Sequence, residues 1–318
     1  MASGADRISD LPEDVLHHVL SLLPSRDAVR TCVLAQRWRD LWRSVPAVRV
    51  AGARGWARAD AFVLFVDRLL RLRRGRAALD TCDLDLRFDG PFPGGERHGN
   101  RWIRRALRRQ VRVLRFLLST VPRVPLPLPD SPLVSDSLTT LELKGVLGNN
   151  QVLDFSSCPS LVDLKMEDCY VGGLEMWSPT YLFNRDLKCC STFSKLKNLV
   201  LNAWFVAPDI SALTWFLQYA PLLERLTLKV SEVPNNLVET EGSYSQLEQS
   251  FAASHLQIVE IKCKEVHGII LKILEVLNAN GIPLEKISIR CSGRELFMNT
   301  HVSYYAVINV CYKSKYCQ

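Results

Sequence analysis

Hydrophobic residues along the chain follow two rhythms, a spacing of three and four and an alternation of two, and the changes between them predict the elements. Leu11, Val15, Leu16, Val19, Leu20, Leu22 and Leu23 recur at helical spacing but cover more than one face. Asp10 stands where an N-cap belongs, and Pro12 falls in the first turn, where its missing N–H is harmless. Glu13 and Asp14 suit the positive end of the helix dipole. Pro24 ends this helix. Ser25 is placed to cap a second one reaching Val33, and a third follows with Trp38, Leu41 and Trp42 before Pro46. Three helices in so short a segment make a marginal core, because each fully buried Leu or Val contributes about 1.5 to 3 kcal/mol and chain ordering costs about as much per residue. The surplus apolar surface asks for a cover, from the same chain or from another protein.

Residues 59 to 74 place Phe62, Phe65, Val66, Leu69 and Leu70 on one stripe, with Asp67, Arg68, Arg71 and Arg74 elsewhere, and predict an amphipathic helix packed on a sheet. TCDLDLRF then alternates Cys82, Leu84, Leu86 and Phe88 with Asp83, Asp85 and Arg87, the pattern of a strand buried on one face. A Gly/Pro loop near GPFPGGERHGN, a helix around Trp102 to Leu107 and a strand in VRVLRFLL continue the alternation.

Beyond the proline-rich connector VPRVPLPLPDSP one pattern recurs six times: Leu138-Leu141-Leu143, Leu161-Leu164-Met166, Leu196-Leu199-Leu201, Leu223-Leu226-Leu228, Leu256-Val259-Ile261 and Leu284-Ile287-Ile289. The starts are 23, 35, 27, 33 and 28 residues apart, the period of leucine-rich repeats. Each such unit has an apolar side that only its neighbours cover, so the strands stack and line one face. The intervening positions, Thr139, Glu142 and Lys144 in one unit and Asp163, Lys165 and Glu167 in the next, are candidate target-facing residues. The uneven spacing predicts an irregular arc.

The 318 residues suit a small domain joined to a larger one. Apolar residues at 47% and charged residues at 23% argue for a globular chain rather than a disordered one. No apolar run reaches the roughly 20 residues of a membrane span, and MASGADRISD lacks the features of a signal peptide, so an intracellular protein is expected. The ten cysteines show no zinc spacing; the adjacent Cys189 and Cys190 are read as reduced thiols before metal ligands. Residues 1 to 143 carry 24 Arg, no Lys and 16 acidic residues, net +8, against −1 for the rest. These arginines lie between apolar residues of periodic segments, which reads as solvated faces more readily than as a nucleic-acid patch. No phosphate loop, nucleophile elbow, zinc-protease helix or dinucleotide fingerprint is present, no cofactor is implied, and His17 and His18 are expected as helix-surface residues rather than ligands. Pro122 and Pro125 form a P-x-x-P that reads as a spacer.

The run LPEDVLHHVLSLLPSRDAVRTCVLAQRWRDLW resembles the F-box, with Leu11, Pro12, Leu16, Val19, Leu23, Val29, Val33 and Trp38 at that family's apolar or aromatic positions. The resemblance implies docking onto a Skp-type adaptor, which links to a cullin, with Leu11, Pro12, Leu16, Val19 and Trp38 as the adaptor-binding residues or their immediate support. The chain departs from its kin at Ala35, where Ser-Arg-Arg-Trp becomes Ala-Gln-Arg-Trp; the lost capping hydroxyl costs the third helix about 1 kcal/mol. Together with the repeats, the segment from Ser250 to Cys291 resembles the FBD-type end of plant F-box proteins with leucine-rich repeats, and WSPTYLFNRDL marks a place where relatives carry extra repeats. The implied fold class is α/β: a small three-helix N-terminal F-box followed by an irregular leucine-rich-repeat solenoid of parallel strands with return helices and loops.

The expected divisions are 1–48 F-box, 49–120 helix-strand region opening the solenoid, 121–137 connector, 138–230 repeats, 231–291 FBD-like repeats and 292–318 an atypical tail. That tail is expected to replace a proper cap and to leave a sheet edge open unless VSYYAVINV covers it. The implied function is a non-catalytic substrate receptor of an SCF-type ubiquitin ligase in the cytoplasm or nucleus, recruiting an unidentified protein target, with no membrane and no nucleic acid. The alternatives are a recognition scaffold uncoupled from the ligase and an arginine-rich nucleic-acid binder.

Overall fold

The computed structural model describes residues 10–52, 56, 58–73, 79–128, 132–148, 155, 157–171, 193–204, 211–230, 255–264, 268–291 and 294–297. Cys189, Cys190, WSPTYLFNRDL and VSYYAVINV lie outside these. The chain divides into two compact units, residues 1–149 with 157–160, and residues 150–156 with 161–318.

In the first unit α1 (Glu13–Leu22) and α2 (Ser25–Arg30) are followed by short 3-10 turns at Thr31–Val33, Gln36–Arg39 and Leu41–Arg43. The expected third α-helix is therefore absent. Ala35 is extended (φ −157, ψ 164) and offers no capping side chain, so the Trp38 N–H closes on the Ala35 carbonyl at 3.0 Å, an i+3 bond. Docking of Trp38, Leu41 and Trp42 into the core fixes this tighter path. The expected caps also differ. Asp10 is an exposed residue outside α1, whose first bond runs from the Leu16 N–H to the Pro12 carbonyl at 3.1 Å. Ser25 is the buried first residue of α2, and its hydroxyl accepts the Arg49 N–H at 2.9 Å.

A parallel sheet starts at once: β1 (Ala47–Ala51), β2 (Thr81–Phe88), β3 (Val113–Thr120) and β5 (Thr140–Lys144) lie in that order, while β4 (Leu126–Pro127) pairs parallel with β6 (Val146–Gly148). Alternation buries Val48, Val50, Cys82, Leu84, Leu86, Phe88, Leu114, Phe116, Leu118, Leu141 and Leu143 on one face. That face carries α3 (Ala59–Leu72), through Phe62 edge-on to Phe88 at 5.6 Å, and α4 (Gly95–Arg108), through Gly99 against Phe116 and Leu126. The helix α4 starts inside the stretch expected as a loop. Gly94, at φ +56, turns the chain into it, and Trp102, Ile103, Ala106 and Leu107 bury one stripe. The connector is not a bare spacer either: it contains β4 and buries Leu126, Leu128 and Leu133.

In the second unit β7 (Asp163–Glu167), β9 (Asn198–Trp204), β10 (Arg225–Val230), β11 (Ile258–Cys263) and β12 (Ile287–Cys291) run parallel in chain order, with the short β8 (Tyr170–Val171) after β7. The return helices are α5 (Ser211–Tyr219) and α6 (Gly268–Ala279); α6 buries Ile270, Ile273, Leu274 and Leu277. The tail supplies β13 (Arg294–Phe297), antiparallel to β12, so the edge expected to stand open is paired by residues immediately after the last parallel strand.

One backbone device repeats along the parallel strands. The carbonyl just before a strand accepts two N–H groups from the start of the next: Pro46 from Asp80 and Thr81, Asp80 from Arg112 and Val113, and Arg112 from Thr139 and Thr140. In the second unit Val162 accepts from Lys197 and Asn198, Lys197 from Glu224 and Arg225, and Glu224 from Gln257 and Ile258. The leucine that opens each six-residue pattern is buried at Leu138, Leu161, Leu196, Leu223 and Leu256 and half-buried at Leu284.

Candidate functional site

Helix α1 wears two apolar stripes because its leucines and valines exceed what one face holds. Leu16 and Leu20 point inward and form a closed core with Ala28, Trp38, Leu41 and Val45, sealed by Leu23 and Ala35. Leu11, Val15, Val19 and Leu22 point outward with exposures of 36, 38, 43 and 63%, joined by Val33 at 83% and Leu34 at 67%. So many large apolar side chains in water on about 25 residues mark an interaction surface rather than a tolerated accident. Of the sequence-expected adaptor residues, Leu11, Pro12 and Val19 stand on the open side, while Leu16 and Trp38 belong to the core beneath it. Val15, Leu22, Val33 and Leu34 were missed as surface residues. For the first two, the signal was the 11-15-19-22 spacing, which runs beside the 16-20-23 stripe.

This helical segment is fastened to the sheet. The Arg49 side chain donates from Nε to the Ser21 carbonyl at 2.9 Å, the Arg49 backbone binds Ser25, and the Arg26 guanidinium lies 4.3 Å over the Trp56 ring. Arg73, buried after α3, donates to the Val45 carbonyl and receives at its own carbonyl a 3.2 Å bond from Arg109. Burial and then the neighbouring Arg109 push the Arg73 guanidinium down to about 10. The fully buried Cys82 thiol nearby is pushed up to about 12, mainly by burial, and is inert.

The second candidate surface is the polar face of the strands. In the first unit the register brings Arg49, Asp83, Arg115 and Glu142 into one row, an alternating ladder with Arg49–Asp83 at 4.0 Å, Arg115–Asp83 at 3.8 Å and Arg115–Glu142 at 3.3 Å. Burial raises the Asp83 carboxyl above its ordinary value, although Arg115 and Arg49 oppose the shift. Thr139 donates to the Arg112 carbonyl at 3.0 Å, and Lys144 ends β5 half-buried. In the second unit Asn198 donates to Asp163 at 2.6 Å and Asn202 to Glu167 at 3.3 Å, with Lys165 half-buried between them. Farther along, Glu260 pairs with both Lys262 and Arg290 at 2.9 Å. Within each unit the strand residues among the candidates, Glu142 and Lys144 in one and Asp163, Lys165 and Glu167 in the other, alternate with the buried leucines, several of them already paired with neighbours, whereas Thr139 precedes β5 and is tied to the Arg112 carbonyl.

Among the described residues there is no group of three or more His, Cys, Asp or Glu placed to hold a metal, and no helix is long and apolar enough to cross a membrane.

Comparison with known proteins matches the F-box domain to residues 8–48. An FBD-associated F-box protein of Arabidopsis thaliana is 32% identical over 164 residues, covering 50% of this chain and 35% of the relative. The MEIOTIC F-BOX protein MOF of Oryza sativa subsp. japonica is 35% identical over 236 residues, 68% of this chain and 46% of the relative. An F-box/FBD/LRR-repeat protein of Arabidopsis thaliana is 31% identical over 167 residues, 52% and 35%. The matched stretches span less than half the length of each of these relatives.

Proposed function

From the premise that residues 8–48 are an F-box domain and that the homologues are plant F-box/FBD/LRR-repeat proteins, we propose that this chain is a non-catalytic substrate receptor of an SCF-type ubiquitin ligase. The outer stripe of α1, with Val33 and Leu34, docks a Skp-type adaptor and through it a cullin, in the cytoplasm or nucleus. The parallel strands act as leucine-rich repeats, and their polar positions, Glu142 and Lys144 in the first unit and Asp163, Lys165 and Glu167 in the second, engage a protein target. Target and ligase core are then held by one chain, and ubiquitin transfer gains from effective concentration rather than from chemistry on this chain.

The observation that carries this reading is the division of α1 between a sealed core and an open apolar side, with nothing in the first unit laid over Val19, Leu22, Val33 or Leu34 among the described residues. The strand arginines Arg49 and Arg115 face carboxylates, which favours a protein partner over nucleic acid. The test is capture of a purified Skp-type adaptor by the full chain. Val19→Asp and Leu22→Asp, both on the open side, each lower capture by about 30-fold or more if they sit at the centre of the interface, with far-ultraviolet circular dichroism unchanged. Equal capture by wild type and both variants rejects the reading.

A further inference from the structure

Cys263 and Cys291 end the neighbouring parallel strands β11 and β12 and are register partners. Parallel neighbours lie about 4.8 Å apart, inside the roughly 4.4 to 6.8 Å between Cα atoms that a disulfide needs. Their sulfurs are 2.7 Å apart and neither is in a disulfide. A bonded pair sits at about 2.05 Å, so closure asks for a movement of about 0.7 Å with no strand displaced. Both side chains are half-buried, within reach of a small oxidant yet held in place by the sheet.

The other described cysteines differ. Cys82 is fully buried, Cys158 is buried and donates to the Leu133 carbonyl at 3.1 Å, Cys169 donates to the Glu167 carbonyl at 3.4 Å, and Cys32 lies half-buried in the F-box. Among the described residues one pair of sulfurs is apposed in this way.

The geometry points to Cys263 and Cys291 as a reversible redox pair whose disulfide clamps the last two parallel strands together. With a peroxide as oxidant, one thiol, as thiolate, attacks a peroxide oxygen; the O–O bond breaks, and a sulfenic acid and one water (or alcohol) form. The second sulfur then attacks the sulfenic sulfur, the S–O bond breaks, and the hydroxyl leaves as water with the remaining thiol proton. Two thiols lose two electrons and two protons, and the peroxide is reduced. A dithiol reductant reverses the step by thiol–disulfide exchange through a mixed disulfide and is itself oxidised.

The bond closes a loop that contains all of α6, and it fixes β12, on which the closing strand β13 is paired. Loop closure of this length restricts the unfolded chain, so the oxidised protein unfolds at higher temperature than the reduced one. The pair would thus stiffen one end of the strand face under oxidising conditions and release it under reducing ones, independently of adaptor capture through the F-box.

The experiment uses the full chain, reduced and then titrated with hydrogen peroxide. Expected are a loss of 2 Da by intact mass (about two hydrogens, as in), a Cys263–Cys291 cross-linked peptide after digestion without reductant, and a melting midpoint raised by about 5 °C and restored by dithiothreitol. Comparison of oxidised with reduced wild type needs no variant. Cys263→Ser and Cys291→Ser serve as second arms: each removes the cross-linked peptide and the reversible shift. Thiols at 263 and 291 that remain free while Cys32 is oxidised overturn the proposal, as does a disulfide in which either residue has a different partner.

Discussion

Gly145 shows how much one residue holds in place. It follows β5 with φ +66, and a Cβ there would lie 2.4 Å from the Leu118 carbonyl oxygen, a backbone atom that has no room to yield. Gly145→Ala is expected to cost about 2 kcal/mol or more, read as a lowered urea midpoint with unchanged slope. Asp67 is a second such residue: half-buried on α3, it accepts from Arg105 at 3.0 Å and Trp102 at 3.4 Å, and Arg101 lies 3.6 Å away. Its role was not legible in sequence, where it was one polar residue off the stripe of α3; the partners come from α4, about 35 positions on. Asp83 gives a pH signature. Its carboxyl is raised in the folded protein, so the contribution of this group to stability is complete below the ordinary aspartate value of 3.8 and is lost as pH rises through the higher folded value. Asp83→Asn removes that loss. Stability of the variant relative to wild type is therefore expected to increase as pH rises upward from 3.8, measured by urea denaturation across the acidic range; a decrease would show that the Arg49 and Arg115 pairings outweigh burial.

Among elements, those with an uninterrupted period were the most legible. The alternation in TCDLDLRF gave β2 from Thr81 to Phe88, and the stripe of Phe62, Val66, Leu69 and Leu70 gave α3. Elements whose form is set from outside were not. The five-residue β1 exists because β2 pairs with it, and the 3-10 turns around Trp38 exist because Trp38 and Leu41 must reach one core. RELF falls in the tail that carries no repeat pattern, and its strand form comes from pairing with β12. For α1 the spacing announced surplus apolar surface but not which stripe was the surplus. The structure divides them, and the division predicts opposite phenotypes. Leu16→Ala, inside the closed core, is expected to cost about 2 to 5 kcal/mol in thermal or urea unfolding. Leu22→Ala, 63% exposed, is expected to change stability by less than about 0.5 kcal/mol while weakening adaptor capture. A Leu22→Ala variant as unstable as Leu16→Ala would place that stripe inside.

At the scale of the whole chain, the charge split between its halves was legible at once but misleading on its face. Arginines in the first unit are spent on structure: Arg49 and Arg73 fasten the F-box to the sheet, and Arg101 and Arg105 reach across to Asp67. The parallel pairing of the five leucine patterns in the second unit was also readable, because a strand with one greasy side has few ways to be covered except by its like. What no pattern could supply was where that stacking begins. Trypsin is expected to spare Arg49 in the native chain, because its backbone and side chain are both bonded to the helical segment; early cleavage there, seen by mass spectrometry, would mean that the two parts move independently.

The doubled acceptor at Pro46 sets a limit on modular engineering. That carbonyl leaves the last helical turn and opens the ladder on which Asp80 and Thr81 register. A chimera spliced at residue 48, where the sequence boundary falls, would bring in a foreign version of the very group that seats β2. Grafts that keep residues 44 to 51 native and exchange only what precedes them are the ones whose halves will fit.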